Sequence, residues 1–163
     1  MLEKLDFMVR YWQLRARHKA VGASLTSLEQ VELLSLLRLM STDLRLPDEP
    51  GPPPRTEGGV PVQLTAPGGF ISGELRLVCA EGLLVSCATP VRAGQRTILR
   101  VADAVSGVEY TIPCAVEWAH TGSPSAMALR VDGEPTRMSF AIPLPGMWRS
   151  PLGWAERPWT PAE

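Results

Sequence analysis

Six apolar residues alternate without a break along one stretch of the chain: Val108, Tyr110, Ile112, Cys114, Val116 and Trp118. A period of two places them on one face of a β-strand and rules out a helix there. The same period recurs from Val60 to about Val131. Val60, Val62 and Leu64 form one run, Leu75, Leu77 and Cys79 a second, Leu99 and Val101 a third, and Met127, Leu129 and Val131 a fourth. Turn residues separate these runs: Pro67-Gly68-Gly69, Ala80-Glu81-Gly82, Ala93-Gly94, Ser106-Gly107 and Gly122-Ser123-Pro124. About six antiparallel strands with short turns and no helix between them predict a closed or nearly closed β-barrel over residues 60–140. The alternation predicts a core of Leu75, Leu77, Leu99, Val101, Ile112, Cys114 and Val116.

The chain upstream follows a helical period. Leu2, Leu5, Met8, Val9 and Trp12 share one face of a helix over residues 2–20, with basic residues at its end and Gly22 as a stop. Thr26-Ser27-Leu28-Glu29 fits a capping box and opens a second helix over residues 27–42. Its apolar residues, Leu28, Val31, Leu33, Leu34, Leu36, Leu37 and Met40, exceed one packing stripe. That excess predicts contact on two sides: with the first helix, and with the barrel or a second protein. Leu33, Leu36, Leu37 and Met40 are the candidate partner anchors. Residues 1–43 therefore read as an antiparallel helical hairpin. The fold class is mainly β with an α appendage: a small six-stranded antiparallel barrel preceded by that hairpin. Between them, residues 44–59 hold five prolines and predict an extended tether. Residues 141–163 form a tail in which Trp148, Trp154 and Trp159 sit among prolines. That tail is expected either to strap across the barrel or to present Trp148 and Trp154 to a partner.

Composition excludes several functions. The formal net charge is −1, so the chain lacks the cationic footprint that phosphate backbones require. The one basic cluster, Arg15-Ala16-Arg17-His18-Lys19, has no interleaved aromatics, so no nucleic-acid role is expected. Three cysteines without C-x-x-C spacing and two histidines predict neither a disulfide framework nor a metal site. No cofactor is expected. His120, read as lying in an exposed turn, has no acid or thiol at a meaningful spacing, so no catalytic triad is expected and the chain is read as non-enzymatic. No apolar run reaches the length of a membrane span, and the N-terminus lacks a signal-peptide apolar region. The expectation is a cytoplasmic protein.

The run Gly73-Glu74-Leu75-Arg76-Leu77-Val78-Cys79-Ala80-Glu81-Gly82 and the return strand Leu83-Leu84-Val85 carry a family likeness. So do Pro90-Val91-Arg92-Ala93-Gly94-Gln95 and Val116-Glu117-Trp118. From about Gly59 to Val131 the chain resembles the PilZ family, bacterial receptor domains for cyclic diguanylate. The resemblance implies a ligand clamp in two parts: R-x-x-x-R before the first strand, and D/N-x-S-x-x-G at the next strand and turn. Anchored on Gly82, the second motif here has Leu77 at its acidic or amide position and Cys79 at its serine position. Before the first strand stands Arg55, with Gly59 four residues later, and Arg45 is too distant to complete the pair. Both halves are degenerate, and Glu81 adds negative charge. A glycine at Gly82 is expected for its access to positive φ in a tight turn. The resemblance thus implies a PilZ-like adaptor in bacterial signalling or surface motility that acts on another bacterial protein or on a second copy of itself, without cyclic diguanylate at the usual site. The alternative is a cyclic diguanylate receptor with an unorthodox site, in which Arg55, Arg76, Arg92 and Arg96 meet on one barrel rim.

Overall fold

A computed structural model describes residues 1–22, 24–40, 45–53 and 58–140. Two helices, α1 (Leu2–Lys19) and α2 (Ser27–Met40), precede seven strands. The strands are β1 (Val60–Ala66), β2 (Gly69–Val78), β3 (Gly82–Cys87), β4 (Arg96–Asp103), β5 (Val108–His120), β6 (Ala126–Val131) and β7 (Thr136–Ser139). They pair in the order β4-β1-β2-β3-β6-β5, and β4 also pairs with β5, so six antiparallel strands close a barrel. The closing seam between β1 and β4 is short. Side chains extend it: Thr97 Oγ1 donates to the Thr65 carbonyl at 2.7 Å, and Ile98 N–H donates to Thr65 Oγ1 at 3.2 Å.

The seventh strand lay in a stretch without strand periodicity. Its four residues, Thr136 to Ser139, are all exposed, so burial leaves no alternation to read. It pairs with the first residues of β5, Val108 to Thr111, while β6 pairs with the far half of β5, from Cys114 onward. Strands β6 and β7 thus follow one edge of β5 in turn. Between them, Asp132 N–H donates to the Pro113 carbonyl at 2.9 Å.

Helix α1 is part of the barrel's core. Leu5, Met8, Val9, Trp12 and Leu14 are buried in one continuous cluster with Leu64, Leu75, Leu99, Ile112, Met127 and Leu129. Polar groups fix its seat. Trp12 Nε1 donates to the Ala80 carbonyl at 3.0 Å, and Gln13 Nε2 donates to the Pro135 carbonyl at 3.0 Å. Asp6 accepts from Tyr110 Oη at 2.9 Å and from Arg137 Nε at 2.8 Å. Burial, with Asp6 as neighbour, pushes the Tyr110 hydroxyl pKa upward. The helix ends at Lys19 with Ala20 as an extended C-cap, and the expected stop, Gly22, turns the chain at φ 85° two residues later.

Helix α2 starts on the capping box. Glu29 N–H donates to Thr26 Oγ1, and Thr26 N–H donates to Glu29 Oε2 at 3.0 Å. It runs antiparallel to α1, as two ion pairs show. Arg10 donates to both oxygens of Glu32, at 2.8 and 2.6 Å, and Arg17 pairs with Glu29 at 2.8 Å.

The tether of residues 44–59 is more than a spacer. Leu46 is 5% exposed, and Trp118 Nε1 donates to the Pro47 carbonyl at 2.7 Å. Leu46 and Pro47 therefore lie as a strap against the outside of the barrel.

Two predictions follow from this packing. Trp12→Ala should lower unfolding free energy by about 3–5 kcal/mol, since it empties a buried site and strands the Ala80 carbonyl. Urea denaturation measures it, and a loss under about 1 kcal/mol would place α1 outside the core. The second concerns acid. Hydrogen bonds from Thr26 hold the Glu29 carboxyl below the usual range, and those from Arg10 do the same for Glu32. Their contribution is complete above the unfolded carboxylate pKa of about 4.3 and is lost as pH falls through the lower folded values. The urea midpoint should drop below about pH 4, and Glu32→Gln should make that drop smaller. An identical acid profile for the variant would remove the pair from the stability of the fold.

Candidate functional site

Two residues out of step decide which way Leu77 and Trp118 face. Opposite β3, the register of β2 shifts between Leu75 and Leu77. Opposite β6, the register of β5 shifts between Val116 and Trp118. Each β-bulge inserts one residue, Arg76 in one strand and Glu117 in the other, and reverses the inward–outward phase beyond it. Leu75 and Val78 point into the barrel, whereas Leu77 is half-buried on the outer side. This corrects the placement of Leu77 in the barrel core. The other six expected core residues, Leu75, Leu99, Val101, Ile112, Cys114 and Val116, are buried inside. Trp118 leaves the interior in the same way.

The outward residues form a second apolar cluster. Cys79, Leu84, Trp118, Ala126 and Ala128 are buried there beneath Leu46, with Leu77 at the margin. Strands β3 and β6 are covered on both faces, which is why Leu83-Leu84-Val85 and Ala126-Met127-Ala128-Leu129 read as unbroken apolar runs. Those runs were the available signal for the cluster. Leu77 and Cys79 therefore belong to an apolar layer under Leu46.

The turn itself is a tight hairpin. Cys79 N–H donates to the Gly82 carbonyl at 2.9 Å, and Gly82 N–H returns to the Cys79 carbonyl at 3.2 Å. Gly82 is not among the positive-φ glycines, so the expected reason for it does not hold. A Cβ at Gly82 would lie 2.0 Å from the Leu129 carbonyl oxygen, so close approach of β6 demands glycine here. Leu46 N–H donates to Glu81 Oε2 at 3.2 Å, tying strap to turn.

Beside this turn lies a cleft of about 470 Å³ whose charged lining is Arg15, Arg130, Asp48, Glu81 and Glu117. Three carboxylates against two guanidiniums leave it net acidic. Arg130 lies 3.8 Å from Glu117. Arg76 and Arg96 do not converge on a rim. Arg76 donates to Ser86 Oγ at 3.0 Å and pairs with Glu74, while Arg96 pairs with Asp132 at 2.8 Å. Their strands, β2 and β4, lie on opposite sides of β1. Arg92 is exposed in the β3–β4 loop. Arg55, Trp148 and Trp154 lie outside the described residues.

The thiols Cys79, Cys87 and Cys114 are free and buried. Burial pushes the pKa of Cys87 and Cys114 upward, away from thiolate chemistry. His120 is the last residue of β5 and half-buried, not in an exposed turn as expected; its ring lies where a Cβ at Gly122 would fall. Among the described residues, no group of three His, Cys, Asp or Glu side chains could hold a metal ion. No helix among them is long and apolar enough to cross a membrane.

The second candidate surface is α2. Of the four expected anchors, Leu36 is buried, and Leu33 and Met40 are half-buried against the core. These three are taken by packing within the chain, because the face they share is the one that meets α1. Leu37 remains exposed. The apolar surface left over is Leu28, Val31, Leu34, Leu37 and Leu39, of which Leu28 is 78% and Leu34 61% exposed. The acids of α2 do not share it, since Glu29 and Glu32 are turned to the arginines of α1.

The fold and these surfaces define a small closed barrel capped by α1, with α2 packed on α1 and an apolar face of α2 left open. No family model matches the chain. The mouse protein TBC1 domain family member 10B is similar over 104 residues at 35% identity. That match takes in 60% of this chain, and the chain spans only 12% of the mouse protein's length.

Gly82→Ala should destabilise the protein by about 3 kcal/mol or more, because the clash is with backbone that cannot rotate away. Thermal unfolding measures the change. A loss below about 0.5 kcal/mol would mean that β6 yields there.

Proposed function

We propose that this protein is a non-enzymatic, PilZ-like adaptor that works in the bacterial cytoplasm through protein contacts, in signalling or surface motility. One observation carries the reading. The face that would present the ligand motif is filled by Leu77, Cys79 and Trp118 and strapped by Leu46, while α2 leaves Val31, Leu34 and their neighbours open. Soluble monomers rarely expose a contiguous apolar patch of this kind without a use for it. The partner is another bacterial protein or a second copy of the chain.

A second reading has its own support. The cleft beside the motif turn holds Arg15 and Arg130, and guanidinium groups are suited to phosphates and purine faces. Its three carboxylates weigh against that reading.

Calorimetry with cyclic diguanylate separates the two, and no heat of binding up to about 100 μM is expected. One-to-one binding at low micromolar concentration, lost in Arg130→Ala, would replace the adaptor reading. In parallel, Leu34→Glu should weaken self-association or partner co-purification by roughly 100-fold while the β-rich circular dichroism stays intact. A variant unchanged in both assays would move the contact surface away from α2.

A further inference from the structure

The open face of α2 has a pattern of its own. Leu28, Val31, Ser35 and Leu39 recur at three- and four-residue spacing and align on one side of the helix, with Leu34 flanking them. Leu28, Val31, Leu34 and Leu39 are 78%, 61%, 61% and 74% exposed, and the small, exposed Ser35 sits near the middle of the stripe. The face runs on across the hairpin. Leu39 lines an apolar cleft together with Phe7 of α1, which is itself 62% exposed.

The area and the charges of this face fit a second copy of the chain. At roughly 100–150 Å² of exposed apolar surface each, the four α2 side chains and Phe7 supply about 600 Å² per molecule. Two copies would bury about 1,200 Å² together, the lower end of the range for specific, stable protein interfaces. A twofold contact sets each face against its own equivalent, so a face rich in like charges would repel itself. This one presents no acid, because Glu29 and Glu32 are held by Arg17 and Arg10 of α1. Its cation is Arg38, one turn beyond Leu34. With the twofold axis at the middle of the stripe, antiparallel helices keep the two Arg38 backbones about 13 Å apart along the helix direction, whereas parallel helices would set them side by side. Antiparallel packing also opposes the two helix dipoles. It places Leu28 of one copy against Leu39 of the other, and Ser35 against Val31, where a small side chain lets the helices approach closely.

We propose that the chain forms a twofold dimer in which the α2 helices of two copies pack antiparallel through Leu28, Val31, Leu34 and Leu39, with Phe7 at either end of the contact. The proposal rests on the adaptor reading only for its choice of α2 as the contact surface.

Sedimentation equilibrium on the full chain tests it. A dimer with a dissociation constant in the range of about 1–50 μM is expected from a contact of this size. Val31→Glu should raise that constant at least about 100-fold, and Phe70→Glu, an equally exposed position on β2, should leave it unchanged. The β-rich circular dichroism of both variants checks that they fold. A chain that stays monomeric at about 200 μM would overturn the proposal, as would a dimer that survives Val31→Glu or that Phe70→Glu breaks equally. Cross-linking reads the helix direction. The three native thiols are buried, so introduced cysteines are the reactive ones. Chains with Leu28→Cys mixed with chains with Leu39→Cys should link at least about tenfold faster than either variant links to itself. Equal rates would overturn the antiparallel arrangement. A monomer whose Val31→Glu form loses a co-purifying protein would sink the dimer and keep the adaptor reading. A monomer whose thermal stability Val31→Glu lowers would give the face to a segment of the same chain and sink the dimer too. A dimer with all the expected properties that also binds cyclic diguanylate one to one would keep the dimer and overturn the adaptor reading.

Discussion

The burial of α1 in the open barrel is the contact on which the rest of the structure depends. A six-stranded barrel has a narrow interior that side chains fill. Leu5, Met8 and Trp12 complete that interior, and the Trp12 indole meets the otherwise unpaired Ala80 carbonyl. Asp6 then ties the same helix to β5 and β7 through Tyr110 and Arg137. Helix α2 is held in turn by α1, through Leu36 and the Arg10–Glu32 and Arg17–Glu29 pairs. Hairpin and barrel are distinct in sequence, yet they share one core.

Much of this architecture was legible in the sequence because its signals are local. The capping box at Thr26 and Glu29 needs only four residues to be read. The turns at Gly68, Gly94 and Gly107 carry their own chemistry, and the face of α1 follows from Leu5, Met8 and Trp12. What could not be read depends on pairing between strands. A bulge at Arg76 or Glu117 leaves the residue pattern looking regular while it changes which face Leu77 and Trp118 occupy. Strand β7 left no trace because Thr136 to Ser139 are all exposed residues with no buried alternation, and a strand of this kind is defined only by its partner.

The candidate site was legible to a similar depth. The sequence marks Leu77 and Cys79 as apolar where the resemblance implies polar ligand contacts, and the structure buries Cys79 and half-buries Leu77 in an apolar layer. It does so for a different reason than an apolar interior: they belong to an outer layer shared with Leu46. The excess of leucine on α2 was visible from composition. Which leucines are spare was not, since the direction of α1's approach selects Leu33, Leu36 and Met40 for packing and leaves Val31 and Leu34. Gly82 illustrates the same limit. Its identity was readable, but the requirement comes from Leu129, 47 positions away in the chain.

The strap under which Leu77 and Trp118 lie has a consequence for how the protein is made. The outer patch on β2, β3, β5 and β6 would be sticky if the barrel closed without a cover, and transiently bare apolar sheet is where chains aggregate. Synthesis proceeds from the N-terminus, so Leu46 and Pro47 leave the ribosome before the strands they protect. The plug helix leaves earlier still. By the time β5 delivers Trp118, the Pro47 carbonyl that accepts its N–H has already been synthesised, so the cover is at hand as soon as the patch forms.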